Sequence, residues 1–469
     1  MRARNGTGGT AGEGAEGAKG SAGAAGSAGA ADRWTDAEFR RLRAAADPEI
    51  DAMVARYRRE RPETAADPGG LVRALIRDLG RAKARARGVA VAEPPPPDDP
   101  VELLDELAAA TELPDWGRDA ALIERGQRVF TEYGLYQSVA LFFSCLPLAY
   151  AEPGSARALA RVSDLATGNL TRRVAETGQM LIDVMGLERA GALEPGGRGH
   201  TAAIGLRLLH SCVRALLLER DGPEVWDTEA QGPPVNQELL LATLMDFSLV
   251  TWEAMERMGI VLDDGDRAAN LYVWSVFGHL MGVDACADGP LALADLDAIS
   301  AHLGRGLAPT PEGRRLMAAL LAEMEDFMFV GWRKLPRSLI HWLFAEAAHG
   351  VSEVPKMLGV PPPAWWARPM FATALAAHRV SWLPDPLRPV VRGLIRRAGR
   401  MVILTYADRY SGGGAPFQIP GELARRWRLR RAPAARRARG ARRAARRAVR
   451  APLRPLRERR GERRGERAA

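Results

Sequence analysis

A histidine lies on the apolar face of a helix that the sequence predicts over residues 204–218. Leu206 and Val213 share that face with His210, so its imidazole is expected to point into an apolar interior. Arg214 follows one turn later. A neutral imidazole in a dry helical pocket is suited to bind a haem iron as an axial ligand. The same pattern is typical of a buried core histidine, and this helix alone leaves both interpretations open.

Two further predicted helices carry hydroxyl groups within apolar stripes. Thr177 lies on such a stripe, and Arg173 borders it one turn earlier. Because a buried arginine is rare unless it is paired, this arrangement fits either an ion pair with a core carboxylate or a pocket for an anionic or oxygen ligand. Thr243 lies in the apolar stripe of the second helix, which Asn236 is predicted to cap. Threonine is common in protein cores, so Thr243 by itself is a weak signal.

A fourth pattern places Gly278 and Gly282 one helical turn apart, with His279 between them. Two small residues at this spacing would let another helix or a flat ligand approach closely. His279 fits either a second metal ligand or a core histidine with a satisfied hydrogen bond, and we favour the latter interpretation.

Other kinds of catalytic centre lack their motifs. Glu346 and His349 form a single Glu-x-x-His motif, whereas a di-iron helical bundle needs two of these and two more glutamates. The sequence contains no His-Glu-x-x-His, no Gly-x-Ser-x-Gly, no P-loop and no strand-led Gly-x-Gly-x-x-Gly. These absences argue against a zincin, an α/β-hydrolase and a nucleotide-binding fold.

The elements that must position these residues are predicted to be helices. Residues 101–411 read as one helix after another, rich in Leu, Ala, Arg, Glu and Met, with little strand-like alternation. We therefore expect an all-α domain of about ten or more helices. Residues 32–92 are predicted to form N-terminal helices, joined to this domain by a proline-rich linker over 93–100. Residues 1–31 are expected to be a disordered Gly/Ala-rich arm, and residues 412–469 a linker with a basic Arg/Ala-rich tail.

Composition limits the class of protein. The chain has 469 residues, of which 47% are hydrophobic, and no uninterrupted apolar run of about 18 residues, so no membrane-spanning helix is expected. The start of the sequence lacks the apolar segment of a secretory signal. Cys145, Cys212 and Cys286 are odd in number, lie in apolar contexts and lack metal-ligand spacing. We expect a cytoplasmic protein with buried thiols.

The net charge of +9 is distributed very unevenly. Residues 425–469 contain 20 Arg and 3 Glu, a net +17, so the remainder of the chain carries a net −8. The mildly acidic body gives no reason to expect a specific nucleic-acid partner. The tail fits either a solvated extension or an electrostatic anchor, since anionic lipid attracts each nearby Arg by about 1 kcal/mol. We expect disorder, with peripheral membrane contact through this tail.

Taken in order, the segments described above resemble the MpaB-type oxygenase family, which includes the bacterial rubber oxygenases, or latex-clearing proteins. The resemblance extends over about residues 110–380, and each motif is loose while the order of all six is more specific. The motifs are Gly126-Gln127-Arg128-Val129-Phe130, Ser144-Cys145-Leu146-Pro147-Leu148-Ala149-Tyr150, Arg173-x-x-x-Thr177, His210-x-x-Val213-Arg214, Asn236-Gln237 to Thr243 and Phe247, and Trp274 to Gly278-His279-Leu280-Met281-Gly282-Val283.

This resemblance implies a fold and a chemistry. It implies an all-α, globin-like core holding one b-type haem, with His210 as the axial iron ligand. Arg173 and Thr177 correspond to the family's Arg/Thr pair near the haem, Thr243 to a further pocket threonine, and Arg214 to a residue beside the ligand. The implied reaction is O2-dependent cleavage of a carbon–carbon double bond in an isoprenoid or other lipophilic substrate.

The sequence departs from the latex-clearing proteins at one informative position. Those proteins can close the distal side of the haem with a lysine three residues after the motif arginine, and Glu176 stands there in this chain. Their polymer substrate is extracellular, whereas this sequence shows no export signal. Rubber itself is therefore not expected to be the substrate. Glu152 is the candidate for the family's catalytic carboxylate.

Two other functions remain open at this point. One is a haem oxidase that tailors a small lipophilic metabolite, and the other is a helical binding protein without enzymatic activity. The joint presence of Arg173, Thr177, His210 and Thr243 speaks against the second of these.

Overall fold

The computed structural model describes residues 33–60, 101–165, 170–185, 189–219, 225–326, 328, 330–345 and 347–371. The predicted arm, linker and basic tail lie outside these residues. The described part of the chain is helical and contains no strand, which confirms the all-α prediction. Its three cysteines are free and buried, as predicted.

The helices, with bounds as observed, are α1 Asp36–Ala44, α2 Pro48–Glu60, α3 Val101–Ala110, α4 Ala120–Ala140, α5 Leu146–Ala151, α6 Pro153–Leu165, α7 Leu170–Met185, α8 Arg198–Leu218, α9 Thr228–Gln231, α10 Gln237–Met245, α11 Thr251–Arg257, α12 Asp264–Leu280, α13 Leu296–Arg305, α14 Pro311–Asp326, α15 Leu335–Phe344 and α16 Val354–Met357. Two π-helical turns, Leu141–Cys145 and Asp246–Val250, interrupt the helical path after α4 and α10.

Helices α4 and α12 pack closely against each other in the core. A Cβ atom added at Gly126 on α4 would lie 2.3 Å from the main-chain oxygen of Ala269 on α12, so only glycine permits this approach. Asn270 ties the contact together, because its side-chain nitrogen donates to the Gly126 carbonyl at 3.3 Å. Its side-chain oxygen accepts from Trp252 Nε1 at 3.0 Å. The glycine of the first family-like motif is therefore a packing residue.

Two helical stretches are long and apolar enough to cross a membrane, whereas the sequence predicts none. They are Ala120–Ala151 and Arg198–Leu218. In each, most of the apolar window is buried inside the fold, 72% in the first and 61% in the second. Helices that form the core of a globular domain have the same length and composition, so this finding is weak evidence for a membrane span.

The N-terminal helix α2 shares a core with helices that follow the predicted linker. Ile50 and Tyr57 on α2 are fully or almost fully buried in one cluster with Leu107 on α3 and Leu208 on α8. Burying one such side chain contributes roughly 1.5–3 kcal/mol, so this packing holds α2 firmly on α8. The described helices before and after the predicted linker therefore share one core.

A strained turn leads into α10. Gly232 has a φ of 68°, and a Cβ there would lie 1.9 Å from the Arg43 carbonyl oxygen. Val235 has a φ of 52°, which a β-branched residue adopts only when its surroundings impose it. Asn236 then caps α10 as predicted, accepting a hydrogen bond from the Leu239 amide at 3.0 Å. This turn sets where α10 and its Thr243 begin.

Candidate functional site

His210 is densely surrounded by protein yet keeps some accessible surface. Burial lowers the pKa of its imidazole to about 4, helped by the nearby cation of Arg214 and opposed by Asp47. The ring is therefore neutral near pH 7. Its Nδ1 atom is buried and has no hydrogen-bond partner. His210 is therefore a strongly desolvated imidazole that still keeps some accessible surface.

Arg214 lies one turn beyond His210 and is only 3% exposed. Its Nε donates to the carbonyl of Pro234 and its Nη2 to the carbonyl of Val235, both at 3.0 Å. Its Nη1 is bonded to the carboxylate of Asp51. All three guanidinium nitrogens are thus engaged by protein oxygens, so Arg214 influences the site through the placement and electrostatic environment of His210.

Helix α10 and the π turn that follows present one accessible side. Thr243, Asp246, Phe247 and Val250 recur at helical spacing and all keep accessible surface, while Ser248 between them is buried. The Thr243 hydroxyl donates back to the Leu239 carbonyl of its own helix at 2.9 Å, which leaves its lone pairs available. Burial raises the pKa of the Asp246 carboxyl well above its usual value.

The Arg/Thr pair lies on α7. Thr177 is exposed, whereas its place in an apolar stripe predicted burial. Arg173 is within the same helix, and its side chain lies outside the described residues. Glu176, at the position of the family lysine, is half-buried. An accessible hydroxyl at Thr177 is available to a ligand.

Glu152 is engaged as a helix cap. Its Oε1 accepts from the Gly154 amide at 3.0 Å and its Oε2 from the Ser155 amide at 2.5 Å, at the start of α6. Burial raises the pKa of this carboxyl, although the two amide hydrogen bonds act in the opposite direction. The candidate catalytic carboxylate thus performs a structural task at the α6 terminus.

The Gly278 pair serves packing. A Cβ at Gly278 would meet Leu244 Cδ1 at 2.7 Å and Cys286 Sγ at 3.0 Å, so side chains fill the approach that a flat ligand would need. His279 Nδ1 lies 3.1 Å from the Cys286 carbonyl oxygen, the arrangement of a satisfied core histidine. Gly282 has a φ of 72° and forms the turn after α12.

The single Glu-x-x-His motif lies only partly within the described residues. His349 lies 3.3 Å from Asp297, while Glu346 lies outside the described part. No group of three or more His, Cys, Asp or Glu side chains suited to hold a metal ion occurs among the described residues.

The residues that sequence reasoning missed are the carboxylates of the α2 segment. Asp47 binds Arg207 through two hydrogen bonds of 2.6 and 2.9 Å. Asp51 accepts from Ser211 at 2.6 Å and pairs with Arg214. Their spacing of four residues, which places both on one side of the chain, is the local signal that could have drawn attention to them.

A second buried ionic cluster joins α1, α10 and α13. Glu238 is 8% exposed and binds Arg43 Nε at 2.6 Å and His302 Nε2 at 2.7 Å. The His302 ring stacks on Phe39 with centroids 3.6 Å apart. Burial would raise the pKa of the Glu238 carboxyl, but the hydrogen bonds from His302 and Arg43 outweigh it and the pKa lies below its usual value. This cluster holds α1 at the base of α10.

Glu238→Gln is expected to reduce the free energy of unfolding by about 2 kcal/mol at pH 7, since it removes the buried carboxylate that is hydrogen-bonded to Arg43 and His302. The pKa of Glu238 is depressed in the folded state, so its contribution is present above the ordinary value of 4.5 and is lost as the pH falls below it. Urea titrations from pH 7 to pH 3 should show the two proteins converging at low pH. Glu229→Gln, at an exposed position on α9, should behave as the wild type throughout. A constant difference between Glu238→Gln and wild type would contradict this account.

The described fold is all-α, and the comparisons with known proteins place the chain in a family of oxygenases. The family described as "ER-bound oxygenase mpaB/B'/Rubber oxygenase, catalytic domain" matches residues 131–451. The chain belongs to this family and is an oxidoreductase. The resemblance inferred from the ordered motifs is thereby confirmed.

Two relatives illustrate the similarity. The chain is 27% identical over 316 residues to the rubber oxygenase of Streptomyces sp. (strain K30), across 66% of this chain and 73% of that protein. It is also similar to a solved structure of latex clearing protein LCP in the closed state, with a TM-score of 0.54 and 24% identity. That match covers 76% of this chain and 89% of the other, and it shows a shared fold.

Proposed function

We propose that the chain binds one b-type haem through His210 and uses O2 to oxidise a lipophilic substrate. The observation that carries this proposal is the state of His210, which is neutral, partly accessible and free of a hydrogen-bond partner at Nδ1. An axial imidazole must be neutral to donate its lone pair to iron. Membership of an oxygenase family supplies the second line of support.

The chain's own residues fit a haem of this kind. His210 would hold the iron, and the cofactor would supply the O2 chemistry. The accessible hydroxyls of Thr177 and Thr243 would lie along the pocket, together with Arg173 of the same motif as Thr177. We propose a globin-like arrangement of helices around this pocket. Arg214 and Glu152 are assigned supporting roles, because protein groups already occupy their polar atoms.

Carbonyl-forming cleavage of a carbon–carbon double bond in an isoprenoid is the reaction that we propose. The relatives named for rubber oxidation support an alkene substrate. Phe247 and Val250 keep accessible surface on the same side as Thr243, which suits an apolar chain. At Glu176 the chain lacks the lysine that can close the distal side in latex-clearing proteins, which supports a site open to O2. The alternative is oxidation of a small lipophilic metabolite by the same haem site.

An absorption spectrum of the purified protein tests the haem directly. Protein expressed with ample iron and haem precursor should show a Soret band and about one haem per chain. After reduction, CO should shift that band, because the side opposite His210 is proposed to be open. A colourless protein under these conditions would overturn the haem proposal.

Oxygen labelling tests the reaction. With 18O2 and a short isoprenoid alkene, each of two carbonyl products should carry label, while the saturated analogue should be untouched. Hydroxylated products with an intact carbon chain would favour the alternative. The products alone distinguish double-bond cleavage from hydroxylation. The result therefore does not depend on the cofactor assignment.

We also propose a cytoplasmic, membrane-peripheral location through the basic tail. The net charge of +17 over residues 425–469 supports attraction to anionic lipid. Deletion of these residues should abolish sedimentation with vesicles containing anionic lipid. Equal sedimentation with and without the tail would remove this role.

A further inference from the structure

The helix that carries His210 is held along one side by the N-terminal segment. Arg207, Ser211 and Arg214 lie at intervals of four and three residues on α8, and each is bonded to Asp47 or Asp51. These positions lie three residues before His210, one after it and four after it. We call these three residues, with Asp47 and Asp51, the ionic ladder. Its side chains on α8 border the face on which His210 lies.

The ladder is largely shielded from solvent. Arg207 is 12% and Asp47 7% exposed, while Arg214 is 3% and Asp51 31% exposed. Charged pairs that are little exposed fix geometry more strongly than surface pairs, because an unmatched partner cannot be rehydrated. The apolar cluster around Ile50 and Leu208 adds a second contact between the same two helices.

Arg214 extends this hold to the helix of Thr243. The guanidinium that pairs with Asp51 also donates to the carbonyls of Pro234 and Val235, in the turn that enters α10. Val235 has a φ of 52°, a strained conformation that the Arg214 contact helps to retain. One side chain thus joins α2, α8 and the start of α10.

We propose that the N-terminal helix α2 is a positioning element for the iron ligand, acting from Asp51 through Arg214 on His210 and on the start of the Thr243 helix. The family match begins at residue 131, so α2 lies outside it. This inference rests on the proposed haem site at His210. Asp51 is a positioning residue, because it touches Arg214 and Ser211 and acts on the ligand only through them.

Asp51→Asn tests the role of the charge while retaining the shape of the side chain. The variant should release haem to a scavenging protein about 10-fold faster than wild type, as is typical when a residue supporting a metal ligand is changed. The iron–histidine stretching band in the resonance Raman spectrum of the reduced protein should shift. Glu49→Gln is the matched control, since Glu49 lies on the same helix, is exposed and supplies only a 3.1 Å bond to Arg207.

A general loss of stability must be separated from a loss of positioning. Met317→Ala removes a buried side chain on α14, away from α2 and α8, and should lower stability without moving the Raman band or the haem release rate. If Asp51→Asn and Glu49→Gln show the same haem release rate and the same iron–histidine stretching band, the inference is overturned. The haem proposal stands in that case.

Hydrogen exchange tests the same inference without haem. In the unliganded protein, the amides over residues 207–214 should exchange about 10-fold faster in Asp51→Asn than in Glu49→Gln. Unchanged exchange would overturn the positioning role. If the wild type binds no haem, the proposed function fails, and this arm still decides whether Asp51 orders the helix.

Discussion

Replacing His210 by alanine is expected to give a folded protein that carries no haem. The imidazole of His210 is neutral, with a pKa of about 4, and keeps some accessible surface. Because its Nδ1 has no hydrogen-bond partner, its removal breaks no internal polar contact, and we expect stability to change by only about 1 kcal/mol. The Soret band and the bound iron should both disappear.

A control on the same helix sharpens this prediction. His200 is 1% exposed on α8, and its Nε2 lies 3.4 Å from the Thr111 carbonyl oxygen. Burial also lowers the pKa of this imidazole, so it matches His210 in chemistry while lacking access. His200→Gln should keep one haem per chain. Added imidazole should restore a haem spectrum to His210→Ala, and retention of haem by that variant without imidazole would show that another residue binds the iron.

Gly126→Ala is expected to be strongly destabilising, because α4 and α12 approach closely at this glycine. A methyl group there would lie 2.3 Å from the Ala269 carbonyl oxygen and 2.7 Å from Val273 Cγ2. Because the first of these atoms belongs to the backbone of α12, relief requires the two helices to move apart. We expect a loss of about 3 kcal/mol in the free energy of unfolding, although alanine is intrinsically the better helix former by about 1 kcal/mol.

Gly191→Ala is the matched comparison. Gly191 is exposed, and a Cβ added there meets nothing within 4 Å. The same chemical change should therefore alter stability by less than about 0.5 kcal/mol. Urea unfolding midpoints of the two variants and wild type measure the contrast. Equal midpoints would mean that α4 and α12 are less closely packed than the structure indicates.

Local features of the fold were predictable because they depend on neighbouring residues. Helical periodicity and the scarcity of strand-like alternation predicted an all-α protein, and Asn236 was predicted as a cap because its side chain needs only the amide three residues later. The placement of His210 on an apolar face followed from the same periodicity. Membership of the oxygenase family was inferred from the order of six loose motifs, and the family match confirms it.

Partners across the fold were not predictable in this way. Asp51 and Arg214 are 163 residues apart in sequence, and neither has a local signal that names the other. The Gly278 pattern was compatible with the close approach of either a helix or a flat ligand. The positions of Leu244 and Cys286 show that protein side chains pack there. Thr177 was expected to be buried by its stripe, yet it is exposed. An apolar helical face predicts that the face is buried, but it does not specify which element packs against it.

The sequence by itself therefore determined the helical class of the protein and its oxygenase family, and it predicts His210 as the iron ligand that we propose. These depend on periodicity, residue chemistry and motif order, which are properties of the chain read along its length. Only the tertiary structure decided that α2 packs on the His210 helix and that Arg214 joins α2, α8 and the turn before α10. Such contacts arise when helices distant in sequence dock, because burial and charge pairing are then satisfied between surfaces that no local pattern specifies.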